Sequence, residues 1–282
     1  MNNINIVGLR GIERNPIDQS IYLVLDYCEY DLAGLIHRNA LSFEHKLDFI
    51  KQLLNGVYSM HKLGYVHRDI KPSNIMVTKD NIIKLGDPGL ARKLDQQNRP
   101  LTPKVVTPSY RAPELILGDP YYDQAVDVWS LGCVIYEIIT GKVLFKPSTS
   151  SDISQLDSIF RICGSPTVDN WPSFQQLPKA EYASMMRLYD SRLEEFLQNT
   201  LPPEFLGIKD LIKSMLHLDP KNRITVEEAL SYPLLTYETL ELPQIPIPEC
   251  HAMDTQFKPL NAIKVSRPIT RPPRIVPPCI YA

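Results

Sequence analysis

The sequence predicts an α+β fold in which a mostly helical body, over roughly residues 20 to 240, carries a small β-hairpin. Two helical patterns support this prediction. After Ser42, a residue type that caps helices, apolar residues recur at helical spacing, and Gly64 suits the end of that helix. Residues 125–139 are apolar on nearly all sides, which is typical of a helix in the centre of a domain.

Short apolar runs predict the β-structure. Residues 75–78 and 82–85 flank Lys79-Asp80-Asn81, which indicates a hairpin. Residues 21–25 form another apolar run and predict a buried strand. A polar connector follows this run, and two later segments are further helix candidates: residues 211–218 and 226–230.

Composition excludes several classes of protein. The chain has 282 residues, of which 44% are hydrophobic and 22% charged, as in globular proteins. Its net charge of −2 points to no direct nucleic-acid or membrane partner. The longest apolar stretches fall short of the roughly 18 residues of a membrane span. The first residues lack secretory-signal features and the five cysteines form no C-x-x-C pair, so we expect an intracellular protein with reduced thiols.

Residues 241–282 predict a proline-rich, basic tail beyond the folded body. After Asp254 the tail has basic residues and no acidic one, and its many prolines exclude a helix or a central strand. Two interpretations stay open. The tail is either a polyproline II ligand for an aromatic groove or a disordered extension.

The segment with the most chemical information runs from His67 to Asn74 (His-Arg-Asp-Ile-Lys-Pro-Ser-Asn), and Asp87-Pro88-Gly89 follows. The hairpin arms between them have similar lengths, so Asn74 and Asp87 should lie close together, with Asp69 and Lys71 just upstream. Carboxylate and amide oxygens suit Mg²⁺, a carboxylate can accept a hydroxyl proton, and a lysine can offset the charge of a transferring phosphoryl group. The alternative is that Asp69 and Asp87 are solvated loop acids.

The pattern H-R-D-x-x-x-x-N, then D-x-G, then Ala112-Pro113-Glu114 resembles the protein-kinase signature set. This resemblance implies a protein-kinase-like fold with a mostly helical C-lobe and a truncated β N-lobe. It implies ATP and Mg²⁺ as cofactors, Asp69 as the catalytic base and Lys71 as a phosphate contact. It also implies Asn74 and Asp87 as metal ligands.

Further motifs resemble the cyclin-dependent kinases. They are Val105-Val106-Thr107 ahead of Arg111, Cys163-Gly164-Ser165-Pro166 and Asn170-Trp171-Pro172. Tyr30-Asp31-Leu32-Ala33-Gly34-Leu35 and Glu249-Cys250-His251 are most similar to the transcription-elongation branch, whose members phosphorylate RNA polymerase II C-terminal repeats. The resemblance therefore implies a serine/threonine kinase acting on Ser/Thr-Pro sites, a cyclin partner, and a nuclear rather than cytoplasmic location.

The same matching assigns roles to other residues. Leu25 matches the gatekeeper, and the residues implied to contact nucleotide are Asp26, Cys28, Asp31, Lys71, Asn74 and Asp87. Thr107 matches a residue that bridges the catalytic base, Asp69, and Lys71. Arg111 matches a residue that shapes the pocket for the proline that follows the target serine or threonine. Thr102 matches an activating phosphothreonine whose phosphate would pair with Arg68 and Arg92. Asp127 matches a residue that holds the His67–Arg68 turn, and Glu114 and Arg223 match a buried ion pair.

The sequence also departs from the family pattern. It has no G-x-G-x-x-G and no lysine before Lys46, so the loop and the lysine that clamp the ATP phosphates have no counterpart, and neither has the cyclin-docking helix. Pro88 replaces the usual phenylalanine and should restrict Asp87 to extended conformations. We expect an N-lobe remnant in residues 1–27, a C-lobe in residues 28–240 and the tail in residues 241–282.

These departures leave three hypotheses open. The chain is an active kinase, it is a catalytically inactive kinase-like scaffold, or Met1 is not the true start. An active kinase would lose phosphate transfer when Asp69 is replaced. An inactive scaffold would show no stabilisation by Mg·ATP.

Overall fold

A computed structural model describes residues 3–94, 101, 108–236, 242–243 and 245 of the chain. The strands in the described part are β1 (Leu9–Arg14), β2 (Ile21–Leu25), β3 (Tyr30–Asp31), β4 (Tyr65–Val66), β5 (Ile75–Val77), β6 (Ile83–Leu85) and β7 (Arg92–Lys93). The α-helices there are α1 (Leu32–His37), α2 (Phe43–Lys62), α3 (Pro113–Ile116), α4 (Ala125–Thr140), α5 (Asp152–Cys163), α6 (Ala180–Ser184), α7 (Leu193–Thr200), α8 (Lys209–Met215) and α9 (Val226–Leu230). The predicted α+β class is confirmed.

The predicted helix after Ser42 is confirmed as α2. The Ser42 hydroxyl accepts a hydrogen bond from the backbone N–H of His45, and the His45 ring accepts one from the Ser42 N–H, so the two residues form a capping box. At the other end Gly64 has a φ of +76°, which glycine adopts without a steric penalty. Helix α2 therefore begins and ends where local chemistry dictates.

Helix α4 lies in the middle of the helical body, as its apolar sequence predicts. All but three of its residues are buried, and it packs against α2 and α8. The Trp129 ring of α4 stacks on Phe145, with the ring centroids 5.4 Å apart. No described helix is long and apolar enough to cross a membrane.

The strands form three small sheets. In one, β3, β5 and β6 lie in that order, and the predicted hairpin is confirmed by the pairing of Ile75 with Leu85. In another, β4 pairs with β7. This pairing holds the segment just before His67 next to the segment that follows Asp87. The described end of the chain returns to the first of these sheets, where Ile245 is buried and the Tyr30 hydroxyl donates to its carbonyl oxygen.

The third sheet consists of β1 and β2 alone, paired antiparallel. The sequence predicts residues 21–25 as a buried strand. The strand is present, but the prediction that it is buried is wrong. Ile21, Leu23 and Leu25 are all exposed, and among the described strands β1 and β2 pair only with each other. An apolar run predicts that a strand suits burial and cannot show whether a layer lies above it.

Candidate active site

The turn that carries Asp69 is held from behind by the buried carboxylate of Asp127 on α4. The backbone N–H groups of His67 and Arg68 donate to its two oxygens at 2.8 and 2.9 Å, and the His61 ring lies 2.9 Å from Oδ2. Burial alone would raise the pKa of Asp127, but the hydrogen bond and the charge of the His61 ring, together with the bond from the His67 N–H, lower the pKa. This arrangement agrees with the predicted holding role of Asp127.

The His67 ring connects this turn to the hairpin. Asp69 N–H donates to Nδ1 at 3.2 Å, so Nε2 carries the ring hydrogen and donates to the carbonyl oxygen of Gly86 at 2.9 Å. Gly86 is the residue before Asp87, and its own N–H donates to the Asn74 carbonyl oxygen at 2.8 Å. Asn74 and Asp87 are thus brought together through the backbone, as the arm lengths predict.

Three predicted site residues make direct contact. The Lys71 ammonium lies 2.8 Å from Asp69 Oδ2, and the Asn74 side-chain amide donates to the same oxygen at 2.8 Å and to the Asp69 carbonyl at 2.9 Å. Asp69 and Asn74 are buried. Because both hydrogens of the Asn74 amide point at Asp69, its Oδ1 is the atom suited to meet a cation.

The backbone conformation of Asp87 differs from the one that the sequence predicts. Its backbone is left-handed, with φ +49° and ψ +66°, rather than extended as the following proline suggests. Aspartate tolerates this conformation because its short side chain bonds locally, and here Oδ1 accepts from the Gly89 N–H at 3.4 Å. Pro88 then begins a short 3₁₀ turn, a position where its missing N–H costs nothing.

Three of the residues predicted to contact nucleotide, Asp26, Cys28 and Asp31, lie between the end of β2 and the end of β3. Burial alone would raise the pKa of Asp26, but Lys84 at 2.9 Å, the Gly8 N–H and Arg10 at 2.5 Å lower it to about 2. Burial raises the pKa of the half-buried Cys28 thiol to about 11. Asp31 is buried and caps α1 by accepting from the Gly34 N–H at 2.7 Å.

The predicted phosphothreonine site is described only in part. Thr102 and Thr107 lie outside the described residues. Arg68 donates from Nε to the Leu90 carbonyl oxygen at 2.6 Å and from Nη1 to the Tyr122 hydroxyl at 2.7 Å, and Arg92 is exposed on β7. Their predicted pairing with a phosphate stays a prediction.

Two ion pairs lie farther along the chain. Arg111, predicted to shape the proline pocket, lies 3.3 Å from Asp152, and burial lowers its pKa while Asp152 opposes that change. Arg223 and Glu114 form a fully buried bidentate pair at 2.6 and 2.7 Å, with the guanidinium over the Trp129 ring. This pair agrees with the one implied by resemblance.

Sequence reasoning missed three residues that organise the site. Tyr122 holds Arg68 and His61 holds Asp127, and no local pattern indicates either contact. The contact of Lys84 with Asp26 has a signal in the sequence. Lys84 alternates with the buried Ile83 and Leu85, so its side chain must leave β6 on the other face.

Comparisons with known proteins agree with this geometry. The protein kinase domain model matches residues 1–235. Cyclin-dependent kinase 12 of Caenorhabditis elegans is 40% identical over 88% of this chain and 36% of that protein. Probable cyclin-dependent kinase 8 of Dictyostelium discoideum is 37% identical over 98% of this chain and 71% of that protein.

Solved structures are similar as well. The yeast RNA Pol II CTD kinase CTDK-1 complex matches with a TM-score of 0.80 and 29% identity, over 87% of this chain and 80% of that one. The CAK complex of Chaetomium thermophilum, bound to ATP-gamma-S, matches with a TM-score of 0.78 and 32% identity over 84% and 73%. The chain therefore belongs to the protein kinase family. Within that family it falls among the cyclin-dependent kinases of the transcription branch.

Proposed function

We propose that this chain transfers the γ-phosphate of ATP to serine or threonine hydroxyls that precede proline in protein substrates, with a cyclin as its partner. The observation that carries this proposal is the buried Asp69 carboxylate, in direct contact with the Lys71 ammonium and the Asn74 amide. The similarity to the CAK complex, which was solved with ATP-gamma-S bound, supports the use of ATP.

The chemistry assigned to these residues is that of phosphoryl transfer. Asp69 accepts the proton of the substrate hydroxyl as the hydroxyl oxygen bonds to the γ-phosphorus, and the bond from that phosphorus to the β-phosphate oxygen breaks to release ADP. Lys71 offsets the negative charge of the transferring group. The turn is fixed by Asp127 and the His67 ring, so the carboxylate needs no reorganisation before it accepts the proton.

Asn74 and Asp87 would hold Mg²⁺. Their amide and carboxylate oxygens are the hard ligands that this ion prefers, and Mg²⁺ commonly takes one or two protein ligands together with substrate phosphates. Within the described residues, no group of three or more His, Cys, Asp or Glu side chains is placed to hold a metal. In the proposed site, substrate phosphates would complete the coordination of the ion, as is usual for Mg²⁺. When bound, the ion neutralises charge on the phosphates.

The remaining assigned roles belong to the same proposal. Asp26 and Cys28 would lie on the hinge whose backbone groups hydrogen-bond adenine, and Asp31 would also contact the nucleotide. Thr107 would bridge Asp69 and Lys71, and Arg111 would shape the pocket for the proline after the target. Phosphorylated Thr102 would pair with Arg68 and Arg92.

The finer substrate and location assignments rest on relatives. The similar yeast complex is an RNA Pol II CTD kinase, which supports RNA polymerase II C-terminal repeats as substrates and a nuclear location. Ser-Pro sites in such repeats would fit the pocket assigned to Arg111.

The test is phosphate transfer to a Ser-Pro peptide by the purified chain with a cyclin and Mg·ATP. Asp69→Asn should lower kcat at least about 100-fold, the usual contribution of a general base. The matched control is Asp80→Asn, in the exposed hairpin turn, which should leave kcat unchanged. Activity equal to that of Asp69→Asn, with no thermal stabilisation by Mg·ATP, would contradict the proposal and favour an inactive scaffold.

A further inference from the structure

Asp152, the first residue of α5, places its carboxylate between two cations. Arg111 Nη1 donates to its Oδ1 at 3.3 Å, and the Lys179 ammonium donates to its Oδ2 at 3.2 Å. Lys179 is also tied to the residue after α3, because its backbone N–H donates to the Leu117 carbonyl oxygen at 2.9 Å. One carboxylate therefore connects the segment that precedes α3, the start of α5 and the segment that precedes α6.

The backbone that carries Asp152 is fixed in place. The Ser151 hydroxyl accepts a hydrogen bond from the Ser154 N–H at 3.1 Å and caps α5. In the next turns, Leu156 and Phe160 are fully buried and anchor the helix in the body. Aspartate has a short side chain with few rotamers, so the position of its carboxylate follows closely from that of the helix.

Arg111 depends on this carboxylate more than Lys179 does. The Arg111 side chain is 16% exposed, against 32% for Lys179 and 35% for Asp152. Burial disfavours a charged group unless an opposite charge lies close to it, and water solvates the more exposed ammonium. Removal of the charge at position 152 should therefore displace the guanidinium more than the ammonium.

The chemistry of a guanidinium suits the pocket assigned to Arg111. The group carries five N–H donors and no acceptor, and proline is the residue that has no backbone N–H. A wall formed by this group therefore receives a proline after the target, whereas any other residue there would bury its N–H without an acceptor from the wall. Such an unpaired donor weakens binding. The discrimination lasts only while the guanidinium stays in place.

We propose that Asp152 is a positioning residue that holds Arg111 at the pocket and thereby sets the preference for proline after the target serine or threonine. This inference rests on the proposed function, which places Arg111 at that pocket. Asp152 holds Nη1 of the guanidinium from α5, and Lys179 holds the other oxygen of the same carboxylate, so the carboxylate has little freedom to turn away. Asp152 acts through Arg111 and needs no contact with the substrate.

Peptide binding without nucleotide tests this role. Two peptides differ only in having proline or alanine after the target position, where alanine replaces the serine. The unchanged full chain should bind the proline peptide at least about fivefold more tightly in NMR titrations. Asp152→Asn should reduce this ratio about threefold, the size expected for a partly exposed ion pair. Asp157→Asn is the matched control on the same helix, since Asp157 pairs with Arg161 at 2.6 Å at similar exposure, and it should leave the ratio unchanged.

Two further variants distinguish positioning from a general loss of structure. Asp152→Glu keeps a carboxylate and should retain most of the preference. Arg111→Met should abolish the preference, and adding Asp152→Asn to it should change the ratio no further, because the two residues act as a unit. An unchanged ratio in Asp152→Asn, an equal loss in Asp157→Asn, or no preference in the unchanged chain would overturn the proposal. Expected ratios without phosphate transfer to a Ser-Pro peptide would overturn the proposed function alone.

Discussion

The Asp26 carboxylate depends on two cations that approach it from different strands. Arg10 belongs to β1 and is largely exposed, whereas Lys84 belongs to β6 and is mostly buried. Screening by water weakens the exposed pair, so Lys84 is the partner that matters most for the charge of Asp26. Asp26 follows directly on β2, so this contact also fastens the ribbon to the hairpin.

Lys84→Met should therefore destabilise the protein in a pH-dependent way. The pKa of Asp26 is lowered to about 2, below its ordinary value near 4, so its contribution to the free energy of unfolding is complete above about pH 4. It is lost as the pH falls toward about 2. Urea unfolding should show a stability difference between the two proteins at pH 5 that shrinks toward pH 2.

Lys79→Met, in the exposed hairpin turn, is the control and should leave the pH profile unchanged. A difference for Lys84→Met that stays constant from pH 5 to pH 2 would contradict the role assigned to Lys84.

The predicted cluster of Asp69, Lys71 and Asn74 follows from sequence because all three residues lie on one short loop. The approach of Asp87 also follows, since hairpin arms of similar length return to their starting point. The left-handed backbone of Asp87 does not follow. The rule for residues before proline describes sterics alone, whereas the Asp87 carboxylate also accepts a long hydrogen bond from the Gly89 N–H in the left-handed conformation.

Helix α4 and the turn of His67 and Arg68 are joined through Asp127. The carboxylate lies in the first turn of α4 and accepts the His67 and Arg68 N–H groups, while the His61 ring of α2 supports it. The left-handed φ of +68° at Arg68 requires such support, because a side chain with a Cβ rarely adopts it.

Asp127→Asn should loosen this turn. An amide offers one acceptor oxygen to two N–H donors, so one donor stays buried without a partner, at a cost of about 1–3 kcal/mol in the free energy of unfolding. Hydrogen exchange should accelerate at the amides of His67 and Arg68. Asp169→Asn, in an exposed loop, should change neither quantity. Unchanged exchange at both amides would refute the holding role of Asp127.

The sequence predicts the type of these elements better than it predicts whether they are buried. The pattern of residues 125–139 predicts a buried helix, and α4 is one, because a helix that is apolar all round has no other stable place in a water-soluble fold. The same inference fails for residues 21–25. A five-residue strand can be apolar and still exposed, because its burial depends on elements far away in sequence or on another chain.

The helical body and the ribbon differ in how they are stabilised across the molecule. The body packs α2, α4 and α8 around fully buried side chains, together with the Glu114–Arg223 pair. The ribbon relies on one ladder of hydrogen bonds, the bonds of Asp26 and little apolar burial. Local opening should therefore begin at the ribbon.

Native-state hydrogen exchange on dilute protein should show this hierarchy. The amides of Tyr22 and Val24, which point toward β1, should exchange at least roughly 100-fold faster, relative to unstructured peptide, than those of Val134 and Ile135 in α4. Equal protection in both places would mean that the molecule opens only as a whole and would contradict this prediction.

The imidazole of His67 has a mechanical consequence. One ring joins the Asp69 backbone to the Gly86 carbonyl beside Asp87, so the proposed proton acceptor and the proposed magnesium ligand are held by the same side chain. A twist of the β5–β6 hairpin would therefore shift the backbone of Asp69 through the two hydrogen bonds of this ring. In the proposed reaction, the alignment between the attacking oxygen and the phosphate would therefore depend on this one ring and on the few bonds on either side of it.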